Sequence, residues 1–324
     1  MRRTLLPFLL LALCPSAFAG LVPDGATPEK VADGYQFTEG PALIENIIVF
    51  SDIPASIIVA YDIDTGQTMT VVENTRNTNG LMLHNRVLYG CSHGARALVK
   101  FADEGAELET VWGKLFERDD DGTMTQKRLN SPNDLTIDKD GGIYFTDPRY
   151  GNRDSMETDT EGVYYYKESA KVSDDGGVEV YQKFLPIDTE LKRPNGIVLS
   201  PDQKTLYVAD NGANWIYAYD IVEPGKVKNK RKLAQLNDGK GGGSDGMCVD
   251  AKGRLYATGH GKVWVFEPTG DLVATIPVGP QTTNCTFGPK GKTLYITANK
   301  GLYRITLNTD APLEHAKAEE NETN

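Results

Sequence analysis

The stretch Gly243-Ser-Asp-Gly-Met-Cys-Val-Asp-Ala-Lys-Gly-Arg-Leu-Tyr-Ala-Thr-Gly-His-Gly-Lys-Val-Trp-Val-Phe266 decides how the rest of the chain reads. A polar residue, Asp245, leads into a short apolar run from Met247 to Val249. A turn over Asp250 to Gly253 separates this run from a second one, Leu255 to Ala257. A glycine turn then opens onto Lys262 to Phe266. Short apolar runs joined by Gly-containing turns read as successive antiparallel strands.

The same pattern occurs six times along the chain. Glu39-Gly-Pro leads into Ala42 to Ile44, followed by Ile47 to Phe50. Asn79-Gly leads into Leu81 to Leu83, then Val87 to Gly90. Asn133-Asp leads into Leu135 to Ile137, then Ile143 to Thr146. Asn195-Gly leads into Ile197 to Leu199, then Thr205 to Ala209. Asn284 leads into Cys285 to Phe287, then Thr293 to Thr297. The lead residues lie roughly 40 to 60 positions apart, a spacing that suits the blades of a β-propeller. Third strands fit at Ile57 to Asp62, Ala97 to Phe101, Val163 to Lys167, Trp215 to Asp220, Lys262 to Phe266 and Gly301 to Thr306. The pattern predicts an all-β, six-bladed β-propeller.

Each lead residue, Glu39, Asn79, Asn133, Asn195, Asp245 and Asn284, carries a side-chain oxygen. Asn and Asp also precede strands merely because they make local turn hydrogen bonds. Two acids and four amides in one register ask for more than that. If the apolar run is the innermost strand of each blade, these residues ring one mouth of the central channel. Oxygen donors of this kind suit a hard divalent cation, which makes the channel a candidate metal-binding site.

The N-terminus begins Met1-Arg2-Arg3, continues with an apolar run from Leu5 to Cys14 and ends Ala17-Phe18-Ala19. Charge, apolar length and the Ala-x-Ala end read as a signal peptide over 1–19, leaving 20–324 as one domain. The expected location is periplasmic or secreted, with no membrane attachment after cleavage. Loss of Arg2 and Arg3 takes the net charge from −11 to −13, an acidic balance that argues against nucleic acid as a partner. Cys91, Cys248 and Cys285 remain; they lack zinc-ligand spacing and read as buried free thiols. His93 follows the strand Val87 to Gly90 and is placed to face the channel. Asp147, Arg149 and Tyr150 follow Ile143 to Thr146 and are candidates for the rim. Arg118 to Gly122, the basic run Lys226 to Lys232 and the tail from Asp310 read as solvated segments.

The segments Glu39-Gly-Pro, Ser131-Pro-Asn133-Asp, Pro194-Asn195-Gly-Ile, Ser244-Asp245-Gly-Met-Cys-Val-Asp and Thr283-Asn284-Cys-Thr-Phe-Gly resemble the senescence-marker-protein/gluconolactonase family. That family takes in regucalcin and is related to diisopropyl fluorophosphatase. The resemblance implies a six-bladed propeller with one divalent ion, held by Glu39, Asn133, Asn195 and Asp245. Calcium is the first expectation, with Mg²⁺, Mn²⁺ and Zn²⁺ as alternatives. It implies hydrolysis of a lactone, a sugar lactone first, with Asp245 as base or water-positioning group and His93 sharing that work. Asn79 and Asn284 are expected to bind substrate. Regucalcin-like members carry an arginine where this chain has Ser131, so Arg128, Asn130 and Arg149 stand in by position as substrate-binding residues. Phosphotriester hydrolysis in the same site and non-catalytic ligand binding are the alternatives.

Overall fold

The computed structural model describes residues 20–101, 108–118, 121–172, 177–240 and 242–309. The signal-peptide reading, the tail from Asp310 and part of the Arg118 to Gly122 turn lie outside these residues.

Every regular element among the described residues is a strand. Twenty-four of the strands form six four-stranded antiparallel sheets. The first five sheets span 38–73, 78–112, 135–188, 194–234 and 247–277, each running from inner to outer strand in chain order. The sixth is closed from both ends of the chain. Its three inner strands are Thr282–Phe287, Thr293–Ala298 and Gly301–Thr306, and Glu29–Asp33 pairs antiparallel with the last of these. The fold is the six-bladed β-propeller that the sequence predicts. A further hairpin, Lys114–Arg118 with Met124–Arg128, stands between the second and third blades in sequence.

Burial explains which strands the sequence announces. In the third blade Leu135–Ile137 and Ile143–Asp147 are buried throughout. Strands covered on both faces carry near-continuous apolar runs. Tyr164 and Tyr166 point into one inter-blade cluster and Tyr165 into the next, so all three are buried although their side chains alternate. Six apolar clusters fill the six gaps between neighbouring blades. Burying one large apolar side chain in such a layer is worth about 1.5–3 kcal/mol. Outer strands such as Thr68–Glu73 and Val178–Asp188 are largely exposed.

Two polar devices hold the inner ends of the blades. Asp52, Asp147 and Asp210 end the second strands of their blades. Each carboxylate accepts from two successive backbone N–H groups just ahead of the lead residue: Gln36 and Phe37, Asn130 and Ser131, Lys192 and Arg193. Asp147 is therefore buried under the backbone and does not line the rim. Hydroxyls one step earlier tie the first, third and fifth blades each to the next. Ser51 donates to the Asn79 carbonyl, Thr146 to that of Asn195 and Thr258 to that of Thr283, each at 2.7 Å.

The three cysteines among the described residues, Cys91, Cys248 and Cys285, are free thiols, and the Cys248 and Cys285 sulfurs lie 3.3 Å apart across the fifth and sixth blades. Cys248 is only part-buried. The basic run over 226–232 pairs with acids: Lys226 with Glu223, Lys230 with Asp188 and Arg231 with Asp220. Among the described residues no helix is long and apolar enough to cross a membrane.

Candidate active site

The lead residues arrive at one end of the channel because the inner strands are broken there. Register shifts fall at or beside the lead position in four blades, between Glu39 and Ala42, Thr78 and Leu81, Pro194 and Ile197, and Thr282 and Asn284. A bulge of this kind re-aims a side chain out of the sheet plane. Close approach between blades then fixes spacing. A Cβ on Gly196 would stand 2.2 Å from the Asp245 carbonyl oxygen, and one on Gly246 2.0 Å from Asn284 Cγ. Only glycine fits beneath these neighbours.

Glu39, Asn79, Asn133, Asn195 and Asn284 are all buried, and Asp245 is part-buried. Glu39 Oε2 accepts from the Gly40 N–H at 2.8 Å. Asn195 Nδ2 donates to Tyr150 Oη at 2.7 Å, and the Asn195 amide also hydrogen-bonds the Asp245 carboxylate. With its nitrogen so engaged, Asn195 keeps Oδ1 for a ligand. Asn284 Nδ2 lies 3.4 Å from Asp134 Oδ2, and its Oδ1 accepts from Cys285 N–H.

Asp134 is the member that sequence reasoning missed. It is buried, its Oδ1 accepts from the Leu135 N–H, and it follows Asn133 where four other blades have glycine after the lead residue. That substitution of carboxylate for glycine was the available signal.

Three acidic side chains thus share a water-poor pocket. Burial raises Asp134 to about 7, against hydrogen bonds from Leu135 and Asn284. Burial also raises Asp245 to about 7, with Asn195 opposing and the Asp134 charge adding to the shift. Glu39 is held well above its ordinary range, first by burial and then by the charge of Asp245. Among the described residues no basic side chain forms an ion pair with Glu39, Asp134 or Asp245. Uncompensated carboxylates together with amide oxygens are the donor set of a hard cation. Among the described residues no three His, Cys, Asp or Glu side chains form a metal-holding group, so any cation site here depends on the amides. Asn133 and Asn195, the two amides of the expected set, are both buried.

The remaining expected residues separate into near and far. His93 Nε2 lies 3.4 Å from Asn79 Nδ2. Burial, and then the charge of Arg149, push His93 down to about 4, so its imidazole is neutral near pH 7. Tyr150 lies close enough to Asp245 and Glu39 for their charges to help burial raise its hydroxyl. Arg193 stacks over the Tyr150 ring at 5.3 Å. Arg149 is committed to its own loop, donating to the Asn130 carbonyl at 2.9 Å and the Asn152 carbonyl at 2.8 Å. Asn130 is fully buried, with Nδ2 donating to the Thr160 carbonyl at 2.8 Å, which puts it behind the pocket wall. Arg128 is exposed at the end of the extra hairpin. Its backbone N–H donates to Glu157, which ties the hairpin to the loop that follows the third blade's second strand.

Comparison with known proteins bears on this site. The sequence matches the family described as "SMP-30/Gluconolactonase/LRE-like region" over residues 37–300. It is 30% identical to a gluconolactonase of Zymomonas mobilis, over 88% of this chain and 83% of that protein. It is 24% identical to the diisopropyl-fluorophosphatase of Loligo vulgaris, over 84% of this chain and 88% of that one. Among solved structures, a Xanthomonas campestris gluconolactonase superposes with a TM-score of 0.76 at 30% identity, covering 90% of this chain and 92% of the other. A regucalcin of Agrobacterium tumefaciens, described as a calcium-binding protein, shares the fold with a TM-score of 0.62 at 20% identity. With its six-bladed propeller and the family match across most of its length, this chain belongs to the SMP-30/gluconolactonase family.

Proposed function

We propose that the protein is a metal-dependent lactonase that opens a lactone, a sugar lactone first, to its hydroxy acid. The observation that carries this reading is the meeting of Glu39, Asp134 and Asp245 with amide oxygens at one end of the channel, in a chain similar to gluconolactonases. Glu39, Asn133, Asn195 and Asp245 would hold one divalent cation, with Ca²⁺ the first candidate and Mg²⁺, Mn²⁺ or Zn²⁺ the others. Such a cation supplies positive charge that stabilises a developing oxyanion. The leader-like start over 1–19 supports export to the periplasm or beyond.

The chain's own groups account for the proton movements. Asp245 is positioned to accept a proton from the attacking water as the new C–O bond forms. Its tie to Asn195 fixes the direction in which the carboxylate points. Tyr150 keeps its proton at neutral pH, accepts from Asn195 and so has its own O–H to donate. Asn79 is held against a neutral His93, whose Nε2 accepts and whose Nδ1 carries the hydrogen. Collapse of the tetrahedral adduct breaks the ring C–O bond. The proton held at Asp245 then passes to the departing alkoxide, so one water is consumed and the carboxylate is regenerated for the next turn.

Acid release from glucono-lactone and from an unsubstituted lactone, after chelation and again with each cation restored, tests the reading. Turnover should appear only with a cation and fall by at least about 100-fold in Asp245→Asn. Cation-independent turnover, or full activity in that variant, overturns it. Similarity to the Loligo vulgaris enzyme favours a second substrate class, phosphotriesters, which the same assay tests directly.

A further inference from the structure

Inner strands of neighbouring blades meet along seams, and one backbone bond marks the same place in three of them. The Gly80 N–H donates to the Asn133 carbonyl at 2.9 Å, that of Gly196 to Asp245 at 3.0 Å and that of Gly246 to Thr283 at 2.7 Å. Two residues beyond each bond, on both strands, stands a pair of side chains that share one inter-blade cluster. Between the second and third blades the pair is Met82 with Leu135, and between the fourth and fifth it is Val198 with Met247. Between the fifth and sixth it is Cys248 with Cys285. Two seams fill this slot with bulky apolar side chains, and the third fills it with two small thiols.

The thiols face each other. Their sulfurs lie 3.3 Å apart. Cys248 is held by its ladder partner Tyr256 and Cys285 by Ile296, so both stand on fixed inner strands. A disulfide has an S–S length of about 2.05 Å, so closure asks for a movement of about 1.2 Å, within reach of small rotations about the two Cα–Cβ bonds. The layer around them is apolar, with Val263, Val265, Ile276 and Phe287 among its members. Cys285 Sγ donates to the Tyr256 carbonyl at 3.5 Å, a weak bond. Joining the sulfurs removes two weak donors from this layer. Cys91 belongs to the cluster between the second and third blades and does not compete for either partner.

We propose that Cys248 and Cys285 become a disulfide when the chain folds in an oxidising compartment, a covalent staple across the seam of the fifth and sixth blades. The leader-like start over 1–19 is the mark of a chain sent to such a compartment, where disulfides form and persist. The oxidant is a second disulfide, carried by an oxidoreductase or by a small molecule such as oxidised glutathione. One cysteine thiolate attacks it, forming a mixed disulfide and releasing one thiol. The other cysteine thiolate then attacks the mixed bond, which forms the Cys248–Cys285 bond and releases the second thiol. Two electrons and two protons leave the pair, and the oxidant is reduced to two thiols. Burial pushes the Cys248 thiol well above its ordinary range in the folded protein, so the attack precedes closure of the seam, while free thiols still ionise near about 8.5. The bridge is then sheltered by the layer that surrounds it. It closes the chain from 248 to 285 and so restricts the unfolded state. It also lies three residues after Asp245 and one after Asn284, fixing two lead residues across one seam. The proposal does not depend on the lactonase reading.

The full-length chain, exported on its own leader, is denatured without reductant and alkylated with iodoacetamide. Of Cys91, Cys248 and Cys285, mass spectrometry should find only Cys91 alkylated, with a peptide pair joined through the other two. Prior reduction should expose all three. In Cys248→Ser, Cys285 should become alkylated without reductant, a result that does not require the variant to fold. If the leader does not direct export, the same count is made on the chain refolded from urea in a glutathione redox buffer. Alkylation of all three in the wild type, or a bridge through Cys91, overturns the proposal. The bridged protein should also melt roughly 5 °C or more above the same chain folded with its thiols kept reduced. Equal melting temperatures overturn the role of a staple.

Discussion

At the scale of single residues the site is a problem of unneutralised charge. Asp134 and Asp245 each ionise near 7 in the folded protein, whereas an exposed aspartate ionises near 4. Between those limits the folded state holds protons that the unfolded chain has released. The stability these groups contribute is therefore fully present below about pH 4 and is lost as pH rises through about 7. In the presence of chelator, Asp134→Asn should gain on the wild type as pH rises from 5 to 8, by up to about 1.4 kcal/mol per pH unit. Urea unfolding at each pH measures this, and parallel curves would contradict it. The sequence shows the oxygen-bearing lead residues because they recur in register. Asp134 was as visible, as the acid in a glycine position. Arg128 and Asn130 were chosen by position, and position carries no information about which way a side chain turns.

At the scale of strands the recurring device is the aspartate that clasps two backbone N–H groups ahead of a lead residue. It appears in three blades, at Asp52, Asp147 and Asp210. Two hydrogen bonds to a charged acceptor are at stake, so Asp210→Ala should lower the unfolding free energy by about 2–3 kcal/mol. Chemical denaturation checks this, and a loss under about 0.5 kcal/mol would show the clasp to be incidental. Inner strands are legible in the sequence because both faces are buried, which writes a continuous apolar run. Lys262–Phe266 and Gly301–Thr306 are found where the runs predict them. Outer strands are not legible. Lys226–Ala234 is mostly exposed and strongly basic, and it forms through ladder bonds to its neighbour without an apolar pattern of its own.

At the scale of the whole molecule, the ring of lead residues exists only because the sheet of blades closes. Closure depends on Glu29–Asp33, a short and mostly polar strand from the start of the domain that completes the last blade. Such a pairing joins segments far apart in sequence and leaves no local trace to read. Once closed, hydroxyls and backbone amides link neighbouring blades and carry the six inner strands to one channel end. The central claim is that this end holds one divalent cation. Calorimetric titration of Ca²⁺, and then of Mg²⁺, Mn²⁺ and Zn²⁺, into chelated wild type and Glu39→Gln tests it most directly. The account predicts one site per chain in the wild type and its loss in the folded variant. Binding that survives in Glu39→Gln, or no binding of any of the four cations by the wild type, would contradict it.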